Sequence, residues 1–142
     1  GRWVKEVLMR RGFALWVVAA ALVDPQGRVL VQQRPAGKSL AGLWEFPGGK
    51  IEPGETPENA LVRELGEELR ISVEADDLVA ATFVSEPLAD RHLVMMLYIC
   101  RRWQGVPEAR EAAAIAWHLP AALHALPMPP ADKPLVAWLE QN

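Results

Sequence analysis

The run from Gly49 to Ile71, GKIEPGETPENALVRELGEELRI, limits what this chain can become more than any other stretch. Thr56-Pro57 is a helix start, because a threonine oxygen can accept from free amides of the first turn and proline at the first helical position removes one. The helix is expected from about Pro57 to Leu69. At ~100° per residue, Leu61, Val62, Leu65 and Leu69 fall within one wedge. Glu64, Glu67 and Glu68, at i, i+3 and i+4, fall in the adjacent wedge. One side of the helix can therefore enter a core while its neighbour presents three acids at the edge of a cleft. Three like charges side by side repel. They fit either a solvated acidic face or a cage of oxygens for a hard divalent cation such as Mg²⁺ or Mn²⁺. Gly66, inside the helix at a cost of about 1 kcal/mol against Ala, reads as a close-packing position.

Composition narrows the rest. The chain has 142 residues, which predicts a single domain over 1–142. Net charge is −3, so there is no electrostatic footprint for a nucleic-acid polymer or an anionic membrane. A small anionic ligand is compatible if metal ions bridge it to the acids. The one cysteine, Cys100, lies in the apolar run LVMMLYIC and reads as a core residue. A disulfide framework is excluded, as expected for a reducing, cytoplasmic setting. No apolar run reaches the ~18 residues of a membrane helix. Arg10-Arg11 followed by Phe13 to Val23 imitates a short signal peptide, but it leads straight into the turn Asp24-Pro25-Gln26-Gly27 and the strand-like RVLVQQR. A hairpin of two strands accounts for the same residues. Met9 is a candidate start, which would leave residues 1–8 outside the domain.

Phe13 to Val23 is a continuous β-rich apolar run, as for a strand buried on both faces. Arg28 to Gln33 is the second strand, and Pro35 to Leu43 a loop of small residues. Trp44 to Lys50 reads as an extended segment entering a Gly-Gly turn. Leu78 to Ser85 and His92 to Arg102 form a strand pair, with Ile115 to His118 a further short strand. Pro120 to Ala125 is expected to make one or two helical turns, and Ala131 to Glu140 a final amphipathic helix. Strands with a long helix on each side predict an α/β fold, an α/β/α sandwich around a mixed sheet.

The opening run resembles the Nudix hydrolase signature at Gly49, Glu55, Arg63, Glu64, Leu65, Glu67, Glu68 and Ile71. It departs at Arg70, where the family has a helix-capping Gly. The stretch from Gln32 to Leu65, the DRH at Asp90 to His92, the Trp103 run and PPAD before the last helix are similar to the MutT branch. That branch hydrolyses oxidised nucleoside triphosphates such as 8-oxo-dGTP, with Mg²⁺ (or Mn²⁺), to a nucleoside monophosphate and pyrophosphate. The resemblance implies metal ligation by Glu64, Glu67, Glu68, Glu111 and a carbonyl of Gly48 or Gly49. It implies a general base among Glu64, Glu67 and Glu111, which titrate as a group, and an orienting ion pair from Arg63. Arg34 and Lys50 are expected at the phosphates, and Phe46, Leu88, Arg91 and Asp132 around the base.

Asp132 stands where a well-known MutT protein carries Asn. An amide matches the N7–H and O6 of an 8-oxo-purine. An ionised Asp would repel O6 but suits an amine such as cytosine N4. Three functions stay open: 8-oxo-dGTP pyrophosphohydrolase; pyrophosphohydrolase of CTP, dCTP or a modified cytidine nucleotide; and a non-catalytic domain that recognises oxidised guanine. The chain is expected to be a monomer with a nucleoside triphosphate as its partner.

Overall fold

The structure, a computed structural model, describes residues 13–142. The expectation for residues 1–8 therefore lies outside the described residues. Among the described residues the strands are β1 Ala14–Leu22, β2 Val29–Gln33, β3 Trp44–Glu45, β4 Gly48–Lys50, β5 Leu78–Pro87, β6 His92–Cys100 and β7 Ala114–His118. The α-helices among the described residues are α1 Pro57–Leu69, α2 Pro120–Leu123 and α3 Asp132–Gln141.

The strands make two sheets. One is mixed, in the order β4-β1-β6-β5, with β1 parallel to β6 from Ala14↔His92 to Leu22↔Cys100. The other is antiparallel, β3-β2-β7. Alternation along β1 divides the core. Val18, Ala20 and Leu22 join Ala60, Leu61, Leu65 and Leu69 of α1, while Ala19 and Ala21 join Leu135, Val136 and Leu139 of α3. Helices thus cover both faces, giving the expected α/β/α sandwich.

Three expectations change. Asp24-Pro25-Gln26-Gly27 does turn, with Asp24 Oδ1 accepting from the Gln26 and Arg28 amides. Yet β1 and β2 do not continue as a hairpin: one bridge, Val23↔Val29, joins them before they part into separate sheets. The cause is that β1 already spends both edges, one on β6 and the other on β4 and the Pro47 carbonyl. Second, β1 is buried only in its latter half; Trp16 is 50% exposed. Third, Gly66 is not tightly packed, since a methyl there would meet only the Ile71 carbonyl oxygen at 3.8 Å.

Candidate active site

Helix α1 is set as its end signals require. Thr56 Oγ1 accepts from the Asn59 amide at 3.1 Å, and Pro57 opens the first turn. At the other end Arg70 takes the left-handed conformation (φ 58°) and its N–H bonds the Gly66 carbonyl at 3.1 Å. Leu61, Leu65 and Leu69 are fully buried. Burying that stripe turns Glu64 and Glu68 toward β4, while Glu67 stays exposed.

Glu68 is the most enclosed of the three acids. Its oxygens accept from the Gly48 amide at 2.9 Å and from Gln32 Nε2 at 3.2 Å. Burial, then the charge of Glu64, pushes its carboxyl up to about 8, against the pull of those two donors. Burial also raises Glu64, opposed by Arg63 and assisted by Glu67 and Glu111. The Glu64 carboxylate lies where a side chain on Gly49 would be, with its carbon 2.5 Å from the position of a Cβ there. Only glycine allows this approach.

Arg63 gathers the remaining negative charge. Its guanidinium donates to Glu55 at 2.7 and 2.9 Å, to Glu64 at 2.8 Å, to Glu67 at 3.4 Å and to the Lys50 carbonyl at 3.2 Å. The Arg63 hydrogen bonds hold Glu55 down at about 2. Glu55 in turn accepts from the Glu52 amide at 2.9 Å, which braces the loop before α1.

Glu111 reaches this cluster through a pinned loop. The Glu108 and Arg110 amides bond the Leu69 and Glu68 carbonyls at 3.0 and 3.2 Å, supplying donors to the end of α1. The Ala113 amide bonds the Gln33 carbonyl at 2.9 Å. Glu111, held between, lines a cavity of about 220 Å³ with Glu68, Arg34, Lys38 and Glu45.

A second cavity, of about 200 Å³, opens on the other side of Glu68. Phe46, Met95, Lys50 and Asp132 line it, and Arg34 and Glu45 border both spaces. Asp132 is 3% exposed. Its side chain turns from α3 to accept from the Phe46 amide at 3.2 Å. Burial above all, with Glu45 assisting, raises its carboxyl to about 7, against that hydrogen bond and Arg34. Arg34 bridges to Glu45 at 3.2 Å and to the Ser39 carbonyl at 2.6 Å. Leu88 and Arg91 lie apart from both cavities, on the β5–β6 turn, where the Leu88 amide bonds the Arg91 carbonyl at 2.8 Å.

The structure therefore brings together Glu64, Glu67, Glu68, Glu111, Arg63 and Gly48 in one region, and Phe46, Lys50 and Asp132 in the adjoining cavity. Sequence reasoning passed over Gln32 and Glu45. The signal for Gln32 was a polar residue in the buried strand VLVQQ, which calls for a partner. Cys100 is buried, with its thiol donating to the Arg102 carbonyl at 3.3 Å and raised by burial, as a core residue should be.

A NUDIX domain model matches residues 14–139. This chain belongs to the Nudix family. As a Nudix hydrolase it is similar to the CTP pyrophosphohydrolase of Escherichia coli, 39% identical over 84% of this chain and 87% of that one. It is likewise similar to the 8-oxo-dGTP diphosphatase of Escherichia coli, 35% identical over 89% of this chain and 97% of that one. The MutT Nudix hydrolase of Burkholderia pseudomallei superposes with a TM-score of 0.78 at 28% identity, covering 88% and 97% of the two chains. The MutT resemblance and the reading as a pyrophosphohydrolase therefore hold, and the non-catalytic alternative falls away. Among the described residues, no helix is long and apolar enough to cross a membrane.

Nudix hydrolases generally use divalent metal ions. The donor set fits one in kind: hard oxygens, crowded and short of positive charge, with two carboxyls raised by burial and mutual repulsion. Its present arrangement is not a closed shell. Among the described residues no three acids, histidines or cysteines stand together as metal ligands, and Arg63 holds Glu64 and Glu67.

Proposed function

We propose that this Nudix hydrolase is a Mg²⁺-dependent pyrophosphohydrolase of 8-oxo-dGTP, releasing 8-oxo-dGMP and pyrophosphate. The observation that carries the base assignment is Asp132, buried in the cavity beside Phe46 with its carboxyl raised to about 7. Near neutral pH such a group is readily protonated. A neutral acid offers one donor and one acceptor side by side, as an Asn amide does. With Oδ2 accepting from the Phe46 amide, the proton belongs on Oδ1. Oδ1–H can donate to O6 while a carboxyl lone pair accepts from N7–H, so the repulsion expected of an ionised Asp disappears.

Glu64, Glu67, Glu68 and Glu111 would hold Mg²⁺, with Mn²⁺ as a substitute and the Gly48 carbonyl as a further ligand. The metal supplies charge neutralisation on the phosphates and a more acidic water. The chain's own residues do the rest. Arg63 orients Glu64 and Glu67. The general base falls among Glu64, Glu67 and Glu111. Lys50 faces the nucleoside-side cavity, and Arg34 ties its two walls. One P–O–P bridge breaks, water adds its oxygen to phosphorus, and a proton leaves to the base.

A second reading, hydrolysis of CTP, dCTP or a modified cytidine nucleotide, is favoured by the same residue. Asp132 also matches N4 and N3 of cytosine, and Glu45 nearby adds a second carboxylate. Pyrophosphate release with Mg²⁺ across a nucleotide panel separates the two. A rate on 8-oxo-dGTP well above dGTP and CTP is expected. Equal rates on dGTP and 8-oxo-dGTP sink the proposal, and a faster rate on CTP or dCTP installs the second reading.

A further inference from the structure

Two cavities flank Glu68, and each contains one lysine. Lys50 belongs to the cavity of Phe46 and Asp132. Lys38 belongs to the other, which Glu68 and Glu111 also line. The divider between them is the Arg34–Glu45 pair. Because Glu68, Arg34 and Glu45 line both cavities, a nucleotide whose base sits beside Phe46 has a continuous path by which its terminal phosphates reach the space that Lys38 lines.

Arg34 is not a free cation for that task. Its guanidinium is already shared between the Ser39 carbonyl at 2.6 Å, the Ser39 hydroxyl at 3.3 Å and Glu45 at 3.2 Å. Those bonds have a second effect: they fix the residue after Lys38. The loop is braced further by the Gly42 amide on the Arg34 carbonyl at 3.0 Å, and by Gln33 Nε2 on the Gly42 carbonyl at 3.1 Å. Gly37, at φ 86°, allows the chain to bend there without strain. Lys38 is thus mounted on a rigid loop, while among the described residues no side-chain bond or ion pair occupies its ammonium. The charge balance sharpens the point. Glu45, Glu68 and Glu111 face this cavity, with Arg34 and Lys38 as its lining cations among the described residues.

We propose that Lys38 is a substrate-positioning residue whose ammonium binds the two terminal phosphates, the part of the substrate that departs as pyrophosphate. Being a point charge on a flexible stem, lysine can follow that group from substrate to product. The proposal rests on the triphosphate reading above but is testable apart from it. A merely solvated surface lysine on this loop would contribute nothing measurable.

The test is calorimetric binding of inorganic pyrophosphate with Mg²⁺ to the whole protein and to the variants Lys38→Met and Lys38→Arg, with a nucleoside monophosphate as the control ligand. Loss of one charge-assisted contact predicts that Lys38→Met weakens pyrophosphate binding by about tenfold or more. Lys38→Arg should stay within about threefold of wild type, and monophosphate binding should not move. In turnover, KM should rise with kcat little changed. Unchanged pyrophosphate binding in Lys38→Met, or equal weakening of pyrophosphate and monophosphate, overturns the proposal, as does a wild type that binds no pyrophosphate. If no triphosphate in the panel is hydrolysed, the functional reading fails, yet the pyrophosphate comparison still decides the role of Lys38.

Discussion

Replacing Asp132 by Asn should flatten the pH dependence of folding stability. The carboxyl is 3% exposed and sits at about 7 instead of the 3.8 of a free aspartate. That gap of about three pH units, at ~1.4 kcal/mol each, is worth roughly 4 kcal/mol when fully developed. Because the folded value is raised, the contribution is complete below about pH 4, where both states hold the proton. As pH rises, the unfolded chain releases its proton first while the folded one retains it, so stability falls until about pH 8. Between about pH 5 and about pH 8 the loss attributable to this carboxyl is roughly 2.5 kcal/mol. Asn keeps an oxygen for the Phe46 amide but cannot titrate. The assay is urea unfolding of both proteins in chelator-containing buffer at several pH values, taking the difference between them so that other groups cancel. A difference that stays constant across the window, or grows in favour of wild type as pH rises, refutes the reasoning.

Glu67→Gln or Glu68→Gln should each lower kcat by at least ~100-fold with the fold intact by circular dichroism, and wild-type turnover in either would remove the metal assignment. Gly49→Ala places a methyl 2.5 Å from the Glu64 carboxyl carbon and forces that side chain aside; a kcat loss of about tenfold or more is expected, and unchanged kcat would show that the position of Glu64 is not critical. Arg70→Gly relieves a left-handed residue at φ 58° and should stabilise the protein by about 1 kcal/mol in urea. The exposed Arg70–Glu108 pair at 3.8 Å gives up little in exchange, so a loss of stability would mean that the pair matters more than its exposure implies.

Helix α1 was legible because its signals are local. Thr56, Pro57 and the leucine spacing act within a few residues of one another, and so does the i, i+3, i+4 set of acids. What was not legible depends on partners far along the chain. The Asp24 turn has sound turn chemistry, yet whether its strands pair is decided by β6, some seventy residues later. The Phe46–Asp132 bond joins residues 86 positions apart, and Gln32–Glu68 spans 36. Arg34 carried a sign but no direction: the strand-end position does not disclose that Ser39 and Glu45 hold its guanidinium. The proline-rich approach to α3 does not disclose that Ala131 takes the cap position while Asp132, in the first turn, faces the cavity.

Glu68 is fastened to the two sheets at once, through Gln32 on β2 and Gly48 on β4. It acts as a rivet between two plates. Each of its two oxygens accepts one N–H bond there and keeps a second lone pair. The joint that ties the sheets together therefore also aims those spare lone pairs, so the electrostatics of the cleft are inherited from the packing of the sandwich.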